Sequence, residues 1–207
     1  FGVNATQIID VGENDWVFAK NVYILHDPIP HVSHFGIAFH RLAKKFNDYF
    51  NLSSIKANNY FLANRVKGGR AFTNFKEVVS SIRAAYPNTE FKEFQDFQDS
   101  IIETALIWAS AKLVFMPTGS NFAKNVFMHK GGVCIIGFAN YHDTAMLVSC
   151  CSHGVYVLVF AVPGMLHHCL KQNGYDCNID VAIECVGIGI RCANNGGWIP
   201  GENFINC

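Results

Sequence analysis

Two groups of residues in this chain have the types and spacing to hold a phosphate. Arg65 and Arg70 flank the glycine-bearing stretch VKGG. Guanidinium groups grip phosphate oxygens through parallel N–H···O bonds in a fixed fork, so a pair of them can clamp a diphosphate. Further on, the apolar run LVFMP meets Thr118-Gly119-Ser120, followed by a short segment with Lys124 and Asn125. A strand that ends in a Gly-Ser turn and opens a helix leaves backbone N–H groups without intrahelical partners, and the helix dipole favours an anion beside them. Gly119 permits close backbone approach. The plain alternative is an ordinary turn at Gly119 with both arginines solvated.

Other constellations are weaker. Cys150-Cys151-Ser152-His153 and His167-His168-Cys169 contain zinc-ligand types, but their spacing is not that of a standard finger, and adjacent cysteines do not readily point at one ion. No G-x-S-x-G elbow exists. The stretch GIGIRC from Gly187 has two glycines and no third, and it follows no expected strand, which argues against a dinucleotide fingerprint.

The elements that must position these residues alternate. WVFAKNVYIL reads as a strand, HDPIPHVSHFG as a loop, and Ile37 to Phe50 as a helix with Phe39, Leu42, Phe46 and Phe50 at helical spacing. NNYFLANR reads as a strand ending at Arg65. Asn74 is placed to cap a helix running to Ala85, with Val78, Val79 and Ile82 inward. TEFKEF is a short strand. Asp99 or Ser100 caps the helix IIETALIWASA, with Glu103 completing a capping box. KLVFM, GVCIIG and VYVLVFAV are further strands. The last two are continuous apolar runs, as expected of strands covered on both faces. Strand–helix–strand at this spacing predicts an α/β fold with a parallel sheet. A composition shift over 51–59 suggests a boundary, giving a partial first segment 1–58 and a second domain 59–207. The tail after Gly187, rich in Gly, Asn and Cys, reads as a surface segment.

Composition sets limits. The chain has 207 residues, half of them apolar, and a formal net charge of zero. It carries no long basic run, so nucleic acid is not an expected partner. Thr144 to Leu166 is long enough to span a bilayer, but Ser149, Ser152, His153 and Pro163 interrupt it, and a buried strand fits it better. Eight cysteines lie between Cys134 and Cys207, compatible with disulfides or with buried free thiols. The triplets Asn4-Ala-Thr6 and Asn51-Leu-Ser53 fit N-glycosylation and favour secretion. The sequence starts at Phe1, so we expect a processed or excised segment, with any leader or anchor upstream.

The order of motifs resembles the glycosyltransferase family 61 domain. The resemblance rests on a strand ending at Arg65, a loop giving Arg70 and a helix opened by Asn74. The helix SIIETALIWASA and the stretch LVFMPTGSNFAKNVFMHKGGVCIIG follow, with NVFM and Gly131 its most specific part. It covers 59 to 170, and the first 58 residues fit loosely. It implies a GT-B fold with two Rossmann-like halves, of which this chain would hold the donor-side domain and part of the acceptor side. It also implies an inverting transferase that moves a sugar from a nucleotide sugar, often UDP-linked, to a protein or glycan, without a metal or other cofactor. The expected setting is the lumen of the ER or Golgi, behind an upstream type II membrane anchor.

Carried over by position, Arg65 and Arg70 match the family's arginines, Gly119 and Ser120 match the Gly-Ala of its loop, and Asn125 matches its Asn, which we expect to brace the loop. Thr118 stands where the family usually has His and can donate a hydrogen bond but carries no positive charge. Ile136 stands near an acidic residue that would suit a ribose. Inversion needs a base to deprotonate the acceptor hydroxyl. No residue identifies itself as that base; His26, His31, His34, Asp27 and Glu13 are candidates by location only. The departures at Thr118 and Ile136 keep a non-catalytic binding or scaffolding relative open. A cytosolic α/β protein with free thiols is a third reading.

Overall fold

A computed structural model describes residues 36–65, 70–95, 100–138, 144–162 and 174–200, all within a compact unit spanning His31–Cys207. The expected first strand and the loop with its three histidines, the Asn4 triplet, and the candidate bases His26, His31, His34, Asp27 and Glu13 lie outside the described residues. So do Asp99 and the His167–Cys169 cluster.

Among the described residues, five strands form one parallel sheet: β1 (Asn59–Asn64), β2 (Phe91–Gln95), β3 (Ala111–Pro117), β4 (Val133–Phe138) and β5 (Tyr156–Ala161). Their order is β2-β1-β3-β4-β5. The α/β, Rossmann-like fold read from the sequence is therefore present. Alternation along the strands splits the core in two. Leu62, Leu113, Phe115, Val133 and Ile135 face α2 (Phe75–Ala85) and α5 (Ile179–Asn195). Phe61, Ala63, Val114, Met116, Cys134 and Ile136 face the other way. That second face is covered by α1 (Gly36–Phe50), α3 (Ile101–Ala109), α4 (Thr144–Ser152) and a 3-10 segment, Ser120–Phe127.

The helices form where their local chemistry asks. In α2, Val78, Val79 and Ile82 make one buried stripe. In α3 the Ser100 hydroxyl accepts from the Glu103 N–H at 3.4 Å, the expected cap. Asn74 behaves differently from its expected role. Its side chain makes no cap bond to α2 and instead grips the Cys177 backbone, donating to the carbonyl at 2.9 Å and accepting from the N–H at 2.8 Å.

Two sequence readings need correction. The stretch Thr144 to Leu166 opens with α4 before the expected strand β5; no helix among the described residues is long and apolar enough to cross a membrane. The tail after Gly187, read as a surface segment, continues α5 as far as Asn195 and buries Ile188, Gly189 and Cys192; residues 201–207 lie outside the described residues. Gly187 and Gly189 lie inside α5 and are buried, the first against Tyr86 at the end of α2 and the second against the sheet. A Cβ at Gly187 would collide with the Tyr86 hydroxyl, and one at Gly189 would lie 2.7 Å from Ile135 Cδ1. The glycines that look like flexible tail are the places where a packed helix has no room for a side chain. The six described cysteines are free thiols. Burial pushes Cys150 up, helped by Cys134 alongside, and pushes Cys177 up to about 12.

Candidate functional site

In a sheet of this order the chain leaves β1 towards β2 and then crosses back to β3 on β1's other side. Ligands of doubly wound sheets bind outside the carboxyl ends of the strands at such a switch point. Here that crevice lies between the ends of β1 and β3. Arg65 follows β1 directly, and Thr118-Gly119-Ser120 follows β3.

The two ends touch. A Cβ on Gly119 would collide with Arg65 Nη1 and lie 3.2 Å from Cζ. The Gly119 backbone is extended (φ 160°, ψ 174°), which any residue can adopt. Glycine is therefore required by the approach of the guanidinium, not by backbone conformation. Arg65 Nε and Nη1 are buried and have no hydrogen-bond partner among the described residues. Buried guanidinium N–H groups left unsatisfied cost free energy, so native proteins rarely leave them so without a ligand, water or ion to receive them.

The surrounding loops are fixed by two-point clamps. Asn64, just before Arg65, donates to the Phe72 carbonyl and accepts from the Phe72 N–H, both at 2.9 Å. The loop through half-buried Arg70 is thereby tied to the end of β1. The same loop pairs with residues 174–177. The Thr73 N–H donates to Tyr175 O at 3.0 Å and the Tyr175 N–H to Ala71 O at 2.9 Å. The Thr73 hydroxyl meets the Asp176 carboxylate. Phe72 is 2% exposed, and its ring would crowd a Cβ at Gly137, on the end of β4. None of these supports was read from the sequence. The available signal was Asn beside Arg at a strand end.

Thr118 is buried and its N–H is spent on Gly137 O at 2.8 Å, extending the β3–β4 ladder. Ser120 is exposed at the start of the 3-10 segment, whose first turn closes with the Phe122 N–H on Gly119 O at 2.9 Å. The expected helix after the turn is thus of the tighter 3-10 kind. Asn125 is fully buried and faces inward. Its Nδ2 donates to Phe122 O at 2.6 Å and Ser149 Oγ at 2.8 Å, while its backbone carbonyl lies 2.8 Å from His153 Nε2. Ile136 is likewise fully buried, among Met116, Phe122 and Phe138, and offers nothing to a ribose. No metal-holding cluster occurs among the described residues.

The family model for glycosyltransferase 61 matches residues 5–136, well over half of the chain. The chain belongs to the glycosyltransferase 61 family. The match takes in β1 to β3, the Arg65–Gly119 contact and β4 as far as Ile136, and it begins well before the Asn59 start of the resemblance seen in the sequence. No curated protein matches the chain. Membership of glycosyltransferase 61 makes sugar transfer the general chemistry, with a nucleotide sugar and an acceptor as its partners.

Proposed function

We propose that the β1/β3 crevice binds the diphosphate of a nucleotide sugar, UDP-linked in our reading, for inverting transfer to a protein or glycan hydroxyl. The observation that carries this reading is the Arg65 guanidinium laid over Gly119 with two buried, unpartnered nitrogens. A diphosphate oxygen would satisfy those N–H groups by charge-assisted bonds. The N–H groups at the start of the 3-10 segment would add neutral donors, and Arg70 a second charge on the clamped loop. Leaving-group charge would then be stabilised by protein donors, without a metal. Thr118 and Asn125 act as supports: one holds the β3–β4 ladder, the other braces the loop from within.

Titration of UDP and UDP-sugars by calorimetry, with and without chelator, tests this. We expect binding that survives chelation and weakens at least about 100-fold in Arg65→Ala, from the loss of charge-assisted bonds worth about 1.5–3 kcal/mol each. Unchanged binding in the variant would remove the assignment. A non-catalytic relative is the second reading, favoured by the departures at Thr118 and Ile136, with the Thr118 N–H already spent on Gly137 O and no positive charge at that position. Binding without turnover of any donor would select it.

We also propose a luminal setting with an upstream anchor. Asn51 of the Asn-Leu-Ser triplet is exposed, in the left-handed region (φ 52°). Protein from secretory cells should lose glycan mass on endoglycosidase treatment, and Asn51→Gln should remove the share carried there. Unglycosylated secreted protein would count against this setting.

A further inference from the structure

A cavity of about 220 Å³ opens at the other end of the sheet, beside the loop that enters β4. The length of β4, six residues at about 3.3 Å each or about 20 Å, separates that end of the sheet from the rim that carries Arg65. It is lined by His40, Lys44 and Asn47 of α1, His129 and Lys130 before β4, and His153 after α4. Among the described residues no acid lines it, although the chain as a whole has no net charge. Asp48 pairs with Lys44 at 2.8 Å, both largely exposed. The cavity is therefore basic by placement, not by composition.

Two buried polar atoms among the lining residues have no hydrogen-bond partner among the described residues: His129 Nε2 and Asn47 Oδ1. One can donate and the other accepts. His153 cannot satisfy either, because its Nδ1 lies 2.7 Å from Ser149 O and its Nε2 2.8 Å from Asn125 O. A ligand that suits the cavity needs negative charge for the lysines, an oxygen acceptor for His129 and a hydroxyl donor for Asn47. Hydrogen phosphate has all three; sulfate has no hydroxyl to give. The volume takes such a group with a few waters, at roughly 30 Å³ per water.

We propose that this cavity binds a protonated phosphate group, either the free ion or a phosphomonoester, separately from the nucleotide-sugar crevice. Lys130 supplies the main charge, its stem resting against Gly154. The test is run in an Arg65→Ala background, which removes the main phosphate donor of the rim, so that dependence on Lys130 and Asn47 assigns the binding to the cavity. Inorganic phosphate, sulfate and glycerol phosphate are titrated at matched ionic strength, read by calorimetry and by the His129 imidazole NMR signals. We expect saturable phosphate binding at least tenfold tighter than sulfate, weakened at least tenfold by Lys130→Met and by Asn47→Leu. Glycerol phosphate binding as tightly would identify the ester as the ligand, and weaker binding the free ion. No saturable binding, equal affinity for sulfate, or indifference to both variants would overturn the proposal. The NMR signals of the variants report whether each remains folded.

Discussion

Gly119 and Gly187 meet the same physical demand and end in opposite states. At each, a long polar side chain from another element lies where a Cβ would be: Arg65 over Gly119 and Tyr86 over Gly187. At Gly187 the contact is closed, because the Tyr86 hydroxyl donates to Ile183 O at 2.8 Å. At Gly119 the contact is open, because Arg65 keeps two buried nitrogens without a partner. The first crossing locks α2 to α5 and serves packing. The second holds a charged fork at a strand-end crevice and, in the function proposed above, serves a ligand. A tight glycine contact thus says that something is held; the hydrogen-bond state of what is held says whether the fold or a ligand completes it.

The largest effect expected from breaking this comparison is at Gly187. Gly187→Val forces Tyr86 off its seat in a packed layer, which costs about 1–3 kcal/mol for overpacking and about 1 kcal/mol more for the lost hydrogen bond. We expect a net loss of about 3 kcal/mol in urea unfolding, with nucleotide affinity of the folded protein unchanged. Affinity falling in step with stability would mean that the two crossings are coupled.

Gly119→Ala should show the reverse pattern. Gly119 is buried, but the backbone there suits any residue and what a methyl displaces is the far end of a flexible side chain, so stability should change by no more than about 1 kcal/mol, well short of Gly187→Val. The guanidinium would leave the crevice, and nucleotide affinity should fall about tenfold, or 1.4 kcal/mol. Full affinity in Gly119→Ala would show that the close contact does not position Arg65 for binding.

The same contrast explains what the sequence made legible. The strands and α2 and α3 announced themselves through apolar runs and one capping box, and Arg65 and Gly119 through residue type at strand ends. The helix α5 did not, because Gly187 and Gly189 carry no periodic apolar side chain and their meaning lies in Tyr86, Ile135 and Leu113, far away in the chain. Asn64 and Asn74 were equally silent. An Asn at an element's end signals a cap or a turn, whereas here each grips a backbone segment that only the folded sheet brings near. Ile136 was weighed as a missing ribose partner, while alternation along β4 puts it in the core.

The smallest effect concerns the brace behind the open crossing. His153 has both ring nitrogens against carbonyl oxygens, of Ser149 and Asn125, which favours the charged ring. Burial opposes this and is the stronger influence, with nearby His40 adding to it, so the His153 pKa lies below its ordinary value. His129, Lys130 and Lys44 line the same cavity and present no negative charge to it. The sign follows from proton counting. As pH falls through the ordinary histidine range, about 6.5, the unfolded chain takes up a proton that native His153 resists, so the unfolded state gains and stability drops. That contribution is fully present above the ordinary value and is lost progressively below it, down to the native pKa. Urea midpoints measured from pH 7.5 to 5.5 should fall more steeply for the wild type than for His153→Gln. A wild type that instead gained on the variant with acid would mean that the two carbonyls outweigh burial. His153 would then hold the 3-10 segment behind Gly119 most firmly as an imidazolium.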